Sequence, residues 1–330
     1  MSLKNKNILV TGACGFIGSH LVEELVDHGA KVKAFVYYNS FNNWGWLDNI
    51  ETHKKDSIEV ISGDIRSIDS MKGAMQDVDI VFNLAALIAI PYSYISPSSY
   101  FKTNVEGTLN LLQLALDHDI EKVLQISTSE IYGTAKYIPI DENHPAQAQS
   151  PYSASKIGSD ALATSFYNSF ELPLTIIRPF NVYGPRQSAR AVIPTIISQI
   201  LSGKKEISLG APNPTRDFTF VRDTVSGMRR ICEANTNGKT INLGSSKEVS
   251  INDLAYLISD IFGKEVNFKF KDQQRMRPDS SEVDQLLCDN NLLIETTDWS
   301  PQIQLRDGLS QTIEWFKNNL HFYKSDIYNI

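Results

Sequence analysis

The chain has 330 residues, 42% hydrophobic and 21% charged, values usual for a globular protein of one large domain or two joined ones. Its net charge of −7 and pI of about 5.4 argue against nucleic acid or an acidic membrane surface as a partner. Cys14, Cys232 and Cys288 are an odd set without paired spacing, and the six histidines lack metal-ligand spacing, so neither a disulfide framework nor a metal centre is expected.

Residues 1–10 lead straight into a strand with no signal-peptide core. The most apolar run, 80–90, contains Asn83 and is too short for a bilayer. A cytoplasmic chain is expected. Asn7-Ile8-Leu9-Val10-Thr11 reads as a strand, Gly12-Ala13-Cys14-Gly15-Phe16-Ile17-Gly18 as a turn, and residues 19–28 as a helix stopped by Gly29. In that context the first glycine permits a tight turn and the second admits a pyrophosphate to the backbone. The third lets helix pack on strand, and the free N–H groups of the helix start face the anion. A turn that is glycine-rich for packing alone is the plainer reading.

The second strand spans 31–38. A dinucleotide fold usually ends it with an acid that grips the ribose. Here Val36-Tyr37-Tyr38-Asn39 offers neither that acid nor an arginine, so NAD and NADP both stay open. Trp44-Gly45-Trp46 either anchors a loop or walls the nucleotide site. The third strand, 58–62, leads into Gly63-Asp64-Ile65-Arg66. Asp64 either accepts from an adenine amino group or caps a helix over 67–75. The fourth strand, 80–84, ends in Ala85 and Ala86, small enough for a ribose to lie close. A tyrosine-bearing apolar segment, 87–97, precedes a long helix over 98–117 that carries Asn104 and Asn110. This helix and the one after Tyr152 form either a subunit interface or a cover for the sheet.

A strand over 120–126 puts Ser127-Thr128-Ser129-Glu130 at its carboxyl end, the edge where open α/β sheets bind ligands. Tyr152 follows Pro151 and opens a helix that sets Lys156 one turn along the same face. A free phenol has a pKa of about 10. The lysine ammonium is expected to lower it, giving a proton acceptor for a sugar or alcohol hydroxyl. Tyr132 and Lys136 share the spacing, but Gly133, Thr134 and Pro139 leave no helix to align them. The sixth strand, 174–178, breaks at Pro179-Phe180-Asn181-Val182-Tyr183-Gly184-Pro185-Arg186. Beyond it come strands at 206–209, 240–243 and 266–270 and helices at 192–202, 251–262 and 305–319. Arg190, Arg216, Arg222, Arg275 and Arg277 are scattered among them. This region reads as a lid whose arginines meet an anionic substrate; for any one of them a surface ion pair is the plainer reading. The expected fold is α/β: a Rossmann-type, doubly wound parallel sheet over 1–182, rejoined around 218–245, with a smaller mixed α/β substrate domain over 183–330.

Together these residues resemble the extended short-chain dehydrogenase/reductase family of nucleotide-sugar enzymes. The likeness rests on Gly12-x-x-Gly15-x-x-Gly18, Asp64, Leu84-Ala85-Ala86, Ser127-Thr128, Tyr152-x-x-x-Lys156 and the run Arg178 to Pro185, and extends to Arg216-Asp217-Phe218 and the terminal helix. It implies a cofactor, NAD or alternatively NADP, held by Gly12, Gly15, Phe16, Ile17, Gly18, Asp64, Ile65, Leu84, Ala85, Ala86, Ser127, Tyr152, Lys156 and Pro179. It implies a substrate held by Thr128, Asn181, Val192, Arg216 and Arg277. Thr128-Ser129-Glu130 resembles the sugar-nucleotide 4,6-dehydratases, since the family's epimerases lack the Glu. With Tyr37-Tyr38-Asn39-Ser40-Phe41 and Trp44-Gly45-Trp46-Leu47, it looks most like the N-acetylglucosamine-nucleotide 4,6-dehydratases of legionaminic acid synthesis.

The resemblance implies catalysis by Thr128, Ser129, Glu130, Tyr152 and Lys156 on GDP- or UDP-N-acetylglucosamine. Tyr152 deprotonates the C4 hydroxyl, with Lys156 keeping it ionised and Thr128 beside O4. Glu130 takes the C5 proton and water leaves from C6. Ser129 stands where relatives place the acid for that step, so either Ser129 relays a proton or Glu130 returns its own. A homodimer is also implied. UDP-glucuronate decarboxylases share Thr-Ser-Glu and are the alternative, although residues 87–94 offer no cation near C6. A dinucleotide-binding sensor without turnover is a further alternative, which the presence of both Tyr152 and Lys156 opposes.

Overall fold

The computed structural model describes residues 1–325 and 327. The strands in chain order are β1 (Asn7–Thr11), β2 (Lys31–Tyr37), β3 (Ile58–Gly63), β4 (Ile80–Asn83), β5 (Lys122–Ile126) and β6 (Leu174–Pro179), then β7 (Asn181–Tyr183), β8 (Glu206–Ser208) and β9 (Thr215–Phe220). After them come β10 (Thr240–Leu243), β11 (Glu248–Ser250), β12 (Asn267–Lys269) and β13 (Gln285–Leu286). Seven of them form one parallel sheet in the order β3-β2-β1-β4-β5-β6-β10. The order reverses between β1 and β4, and it is outside the carboxyl ends at such a switch point that these sheets leave a crevice. Strands buried on both faces read as apolar runs, as Ile-Val-Phe in β4 and Val-Leu in β5 do.

The helices are α1 (Phe16–Asp27), α2 (Thr52–Lys55), α3 (Ile68–Met75), α4 (Ile90–Ile95), α5 (Pro97–Tyr100) and α6 (Gly107–Asp117). Then follow α7 (Pro151–Phe170), α8 (Val192–Leu201), α9 (Val221–Glu233), α10 (Ile251–Phe262), α11 (Asn291–Thr297) and α12 (Leu305–Asn319). Leu21 and Leu25 of α1, Met228 of α9 and Leu293 of α11 pack on one face of the sheet. Met71 of α3, Leu111 of α6 and Phe166 of α7 pack on the other. A separate core holds the smaller lobe together, with Ile196 of α8, Leu254 of α10 and Phe316 of α12 meeting Phe218 and Phe220 of β9. Among the described residues no helix is long and apolar enough to cross a membrane.

Two polar groups inside this apolar sheet have identifiable partners. Lys122 opens β5, two residues later than the pattern suggests. Its buried ammonium donates to the carbonyls of Ile231, Cys232 and Ala234 (2.7–3.2 Å), and so satisfies the end of α9, where the helix dipole favours a cation. At the carboxyl edge, the Thr11 hydroxyl donates to Asn83 Oδ1 at 2.7 Å, and Asn83 Nδ2 donates to Gln125 Oε1 at 2.8 Å. Thr11 Oγ1 also accepts from the amides of Leu84 and Ala85, fixing the loop that leaves β4.

The expected long helix over 98–117 is interrupted. Between α5 and α6 the backbone makes a π-helical turn, Phe101–Glu106; such turns keep the apolar face while re-aiming one residue. The residue re-aimed is Asn104. Its amide bridges the backbone N–H and C=O of Leu87 (2.9 and 3.0 Å) and donates to Ser155 Oγ on α7 at 2.9 Å.

Candidate active site

The glycine turn is built as its sequence requires. Gly12 has φ +66°, a conformation L side chains rarely adopt, and its missing Cβ would lie 3.0 Å from the backbone of Ala85. A Cβ on Gly18 would sit 2.2 Å from the Gly12 carbonyl oxygen. The start of α1 has no side-chain cap and no acid in its first turn, so its amides are left for an outside acceptor. Phe16 and Ile17 in that turn pack against the core. Trp44-Gly45-Trp46 lies across the turn: the Trp46 amide donates to the Cys14 carbonyl at 3.1 Å. The Trp46 ring is held edge-on by Trp315 and Phe322, with centroids 5.4 and 5.2 Å away. The segment is thus an anchored strap over the loop that would hold a diphosphate.

Asp64 does not cap α3; Ser67 does, accepting from the Ser70 amide. The Asp64 carboxylate instead accepts from Arg66 through both oxygens (2.5–3.0 Å), and that guanidinium holds its pKa below the usual carboxylate value. Arg66 also reaches the Tyr37 hydroxyl at 3.3 Å, which brings a cation to the end of β2 that the sequence there lacks. Ile65 is core: its side chain packs where a Cβ on Gly107 would stand, and its carbonyl accepts from Asn110. Leu84, Ala85 and Ala86 follow β4 beside the glycine turn.

The Ser127–Glu130 run lies at the carboxyl end of β5. Thr128 caps a short turn, Ser129–Tyr132, accepting from the Glu130 amide at 3.2 Å. The helix behind Tyr152 starts cleanly because Ser150 and Ser153 form a capping box and Pro151 fills the first turn. The Thr128 hydroxyl meets the Tyr152 phenol and favours its ionised form, while Glu130 and Tyr100 oppose ionisation. Tyr152 is 7% exposed. Burial is the largest influence and pushes the phenol well above its ordinary value.

Burial, and not Lys156, sets the direction of that shift. In the free chain the Lys156 ammonium donates to the Ile126 carbonyl at 2.6 Å, and desolvation of the ring outweighs every nearby polar group. Burial likewise draws Lys156 down, to about 8, with Asp160 opposing.

The lobe supplies the cations. Arg216, buried in β9, donates to Glu282 at 3.3 Å, and Arg277 Nη1 lies 3.7 Å from Glu130 Oε2. Arg216 also feels the charge of Glu130. Two of the five scattered arginines thus converge on the expected base. Arg275 pairs with Asp272 and Arg190 with the Ser188 hydroxyl. Pro179 ends β6 beside this cluster's sheet edge. Asn181 starts β7, and its Oδ1 is buried without a hydrogen-bond partner among the described residues. Val192 opens α8 and packs into the lobe core.

Several site-ordering contacts carry no signal in the sequence. Gln149, just before α7, donates to the carbonyls of Ser280 and Glu282, and its Oε1 accepts from the Thr134 amide at 2.5 Å. It ties the Arg277 loop to the start of α7 across more than a hundred residues of chain, which only the folded topology brings together.

Comparison with known proteins agrees with this geometry. Residues 9–312 match the family model described as GDP-mannose 4,6 dehydratase. A putative UDP-glucose 4-epimerase of Methanocaldococcus jannaschii is 33% identical, the alignment covering 94% of this chain and 99% of that one. The UDP-N-acetylglucosamine 4-epimerase of Methanobrevibacter ruminantium, solved with UDP-N-acetylmuramic acid, superposes with a TM-score of 0.86 at 32% identity, covering 96% of this chain and 99% of that one. The dTDP-glucose 4,6-dehydratase DesIV of Streptomyces venezuelae, solved with NAD bound, gives 0.87 at 26% identity, covering 96% and 99%. The chain belongs to the GDP-mannose 4,6 dehydratase family of nucleotide-sugar dehydratases and epimerases.

Proposed function

We propose that the protein is an NAD-dependent 4,6-dehydratase of a nucleotide-activated N-acetylglucosamine, with GDP or UDP as the nucleotide and NADP as the alternative cofactor. The observation that carries the reading is the convergence of Glu130, Thr128 and Tyr152 at one sheet edge. An epimerase has no use for a carboxylate at that place. The Tyr37–Phe41 and Trp44–Leu47 runs favour the N-acetylglucosamine nucleotides of legionaminic acid synthesis among the possible sugars.

The residues fit a dinucleotide: an uncapped helix start and a turn with no room for a Cβ on Gly18. Bound there, the cofactor supplies a hydride acceptor for C4 and a hydride donor for C6. Tyr152 removes the proton of the C4 hydroxyl, and Thr128 steadies the oxygen as charge moves onto it. The resulting ketone acidifies the C5 hydrogen, which Glu130 takes as a proton. The C6 hydroxyl then leaves with the proton that Glu130 returns, since the alcohol of Ser129 is a much weaker acid than a carboxylic acid. A solvent-derived proton restores C5. Arg216 and Arg277 hold the diphosphate, and Asn181 offers its amide to the substrate. A second copy pairing through α7 and through α6 with the π-helical turn before it, where Phe170 and Phe101 are exposed, completes the proposed assembly.

A C4 epimerase is the second reading, favoured by the likeness to the two epimerases above. Incubation with GDP- and UDP-N-acetylglucosamine and with UDP-glucuronate separates the candidates. A 4-keto-6-deoxy product, absorbing in alkali, is expected from one of the first two. Interconversion without loss of water indicates an epimerase, and release of carbon dioxide a decarboxylase.

Gly18→Ala tests the dinucleotide part of the reading. Forcing a methyl against the Gly12 carbonyl oxygen destabilises the fold by about 1–3 kcal/mol and must shift the turn off the helix start, so NAD affinity should fall. Titration calorimetry giving unchanged affinity would remove the turn from the binding site.

A further inference from the structure

The strap after β2 meets the glycine turn twice. The Trp46 amide donates to the Cys14 carbonyl at 3.1 Å, and a Cβ on Gly45 would lie 2.9 Å from that same oxygen. On its far side the strap is rooted, since Leu47 and Ile50 are buried in the core that includes α1. On its near side it is exposed and bonds to itself, with Asn39 Nδ2 donating to the Asn43 carbonyl at 3.0 Å. The Trp46 ring stands edge-on to Trp315 of α12 and to Phe322 just beyond that helix, with centroids 5.4 and 5.2 Å away. Those two rings belong to the lobe and not to the sheet. Trp315 packs on the lobe core beside Phe316 and Tyr323, with centroids 5.3 and 6.2 Å away. Tyr323 donates to the Gln187 carbonyl at 2.9 Å, and the adjacent Arg186 grips Glu23 of α1 at 2.7 Å. The lobe therefore holds both the helix whose uncapped start is offered to a diphosphate and the strap that lies over the turn before it.

We propose that Trp315 and Phe322 are positioning residues for the cofactor: through Trp46 they hold the strap against the glycine turn, and so set the rate at which a dinucleotide enters and leaves. The inference rests on the dinucleotide part of the proposed reading and is indifferent to the sugar. It suits the proposed cycle, in which the hydride returns to the sugar and the cofactor has no need to leave between turnovers. A ring cluster that bridges sheet domain and lobe is fitted to such gating, because an interface between two cores can part while each core stays whole. A dinucleotide with its phosphates on the start of α1 has the strap across its way out, so entry and exit wait on the same opening. The clamp acts on the strap alike whether the site is empty or filled. A contact that does not differ between two states leaves their equilibrium where it was, so loosening the clamp speeds both directions and barely changes affinity.

One edge-on aromatic pair shifts an equilibrium by about two- to tenfold. The Phe322 ring is 49% exposed, so Phe322→Ala should keep the fold, which circular dichroism checks. Stopped-flow fluorescence of bound NADH, chased with excess NAD, should show dissociation faster by that factor. Association should quicken to match, leaving Kd within about twofold of the parent. Phe322→Tyr keeps the ring and should keep the parent rates. Hydrogen exchange at the Trp46 amide, whose bond to Cys14 reports the closed strap, should quicken in Phe322→Ala by the same factor as dissociation. Dissociation and association rates equal to the parent's would overturn the inference and leave the cluster as packing alone. A weaker Kd with an unmoved association rate would also overturn it, by making Phe322 part of the binding surface. A parent protein that binds neither NAD nor NADP would sink the dinucleotide reading and this inference together, a result distinct from the other two because it appears without any variant.

Discussion

Replacing Tyr152 with phenylalanine should lower kcat by about a hundredfold to ten-thousandfold, the range that a positioned general base contributes. The ring would remain in place, since it is buried and packs edge-on against Tyr100 with centroids 6.2 Å apart; only the oxygen is removed. The effect should be large because the phenol oxygen is the group assigned to the C4 proton, even though this phenol is expensive to ionise where it sits. Burial raises its pKa and the Thr128 contact only partly offsets that. The remaining help would come with the reactants, through the positive charge of an oxidised nicotinamide. Steady-state assay of product, with circular dichroism to confirm the fold, checks the prediction. A variant within about tenfold of the parent rate would mean that another group takes the C4 proton.

Glu130→Gln has a different signature. The amide cannot accept the C5 proton, so water loss should slow by about a hundredfold or more. C4 oxidation needs only Tyr152 and Thr128, and should continue. Reduced nicotinamide should then accumulate on the enzyme, visible in its near-ultraviolet absorbance, with a 4-keto sugar that keeps its C6 hydroxyl. The substitution also takes away the carboxylate that faces Arg277 at 3.7 Å. Turnover should fall far more than substrate affinity changes. Water expelled at the native rate would rule out Glu130 as the C5 base.

The parts of this site that are local in sequence could be read from it. The strand, glycine turn and helix at residues 7–27 need only a few consecutive residues to be recognised, and the turn closes as the glycines require. The shared face of Tyr152 and Lys156 follows from helical periodicity once Pro151 and the serine box start α7. Helices Ile251–Phe262 and Leu305–Asn319 have the bounds their patterns suggest. What sequence does not carry is burial and long-range charge. Nothing near Tyr152 in the chain announces that its phenol is more desolvated than assisted. Arg277 reaches Glu130 across nearly half the chain, and the lobe topology alone brings them together. Asp64 looks like a cap because its spacing is right, but the adjacent Arg66 occupies its carboxylate and Ser67 caps instead. The π-helical turn around Asn104 is silent because inserting one residue into a helix leaves the local composition unchanged.

The most direct measurement is mass spectrometry and NMR of the product formed from GDP- or UDP-N-acetylglucosamine in heavy water. The site as described gives a nucleotide sugar lighter by one water, with a single solvent deuterium at C5 and a methyl group at C6. A product of unchanged mass with no deuterium at C5 and an inverted C4 would contradict the account, and would leave Glu130 without the role assigned to it.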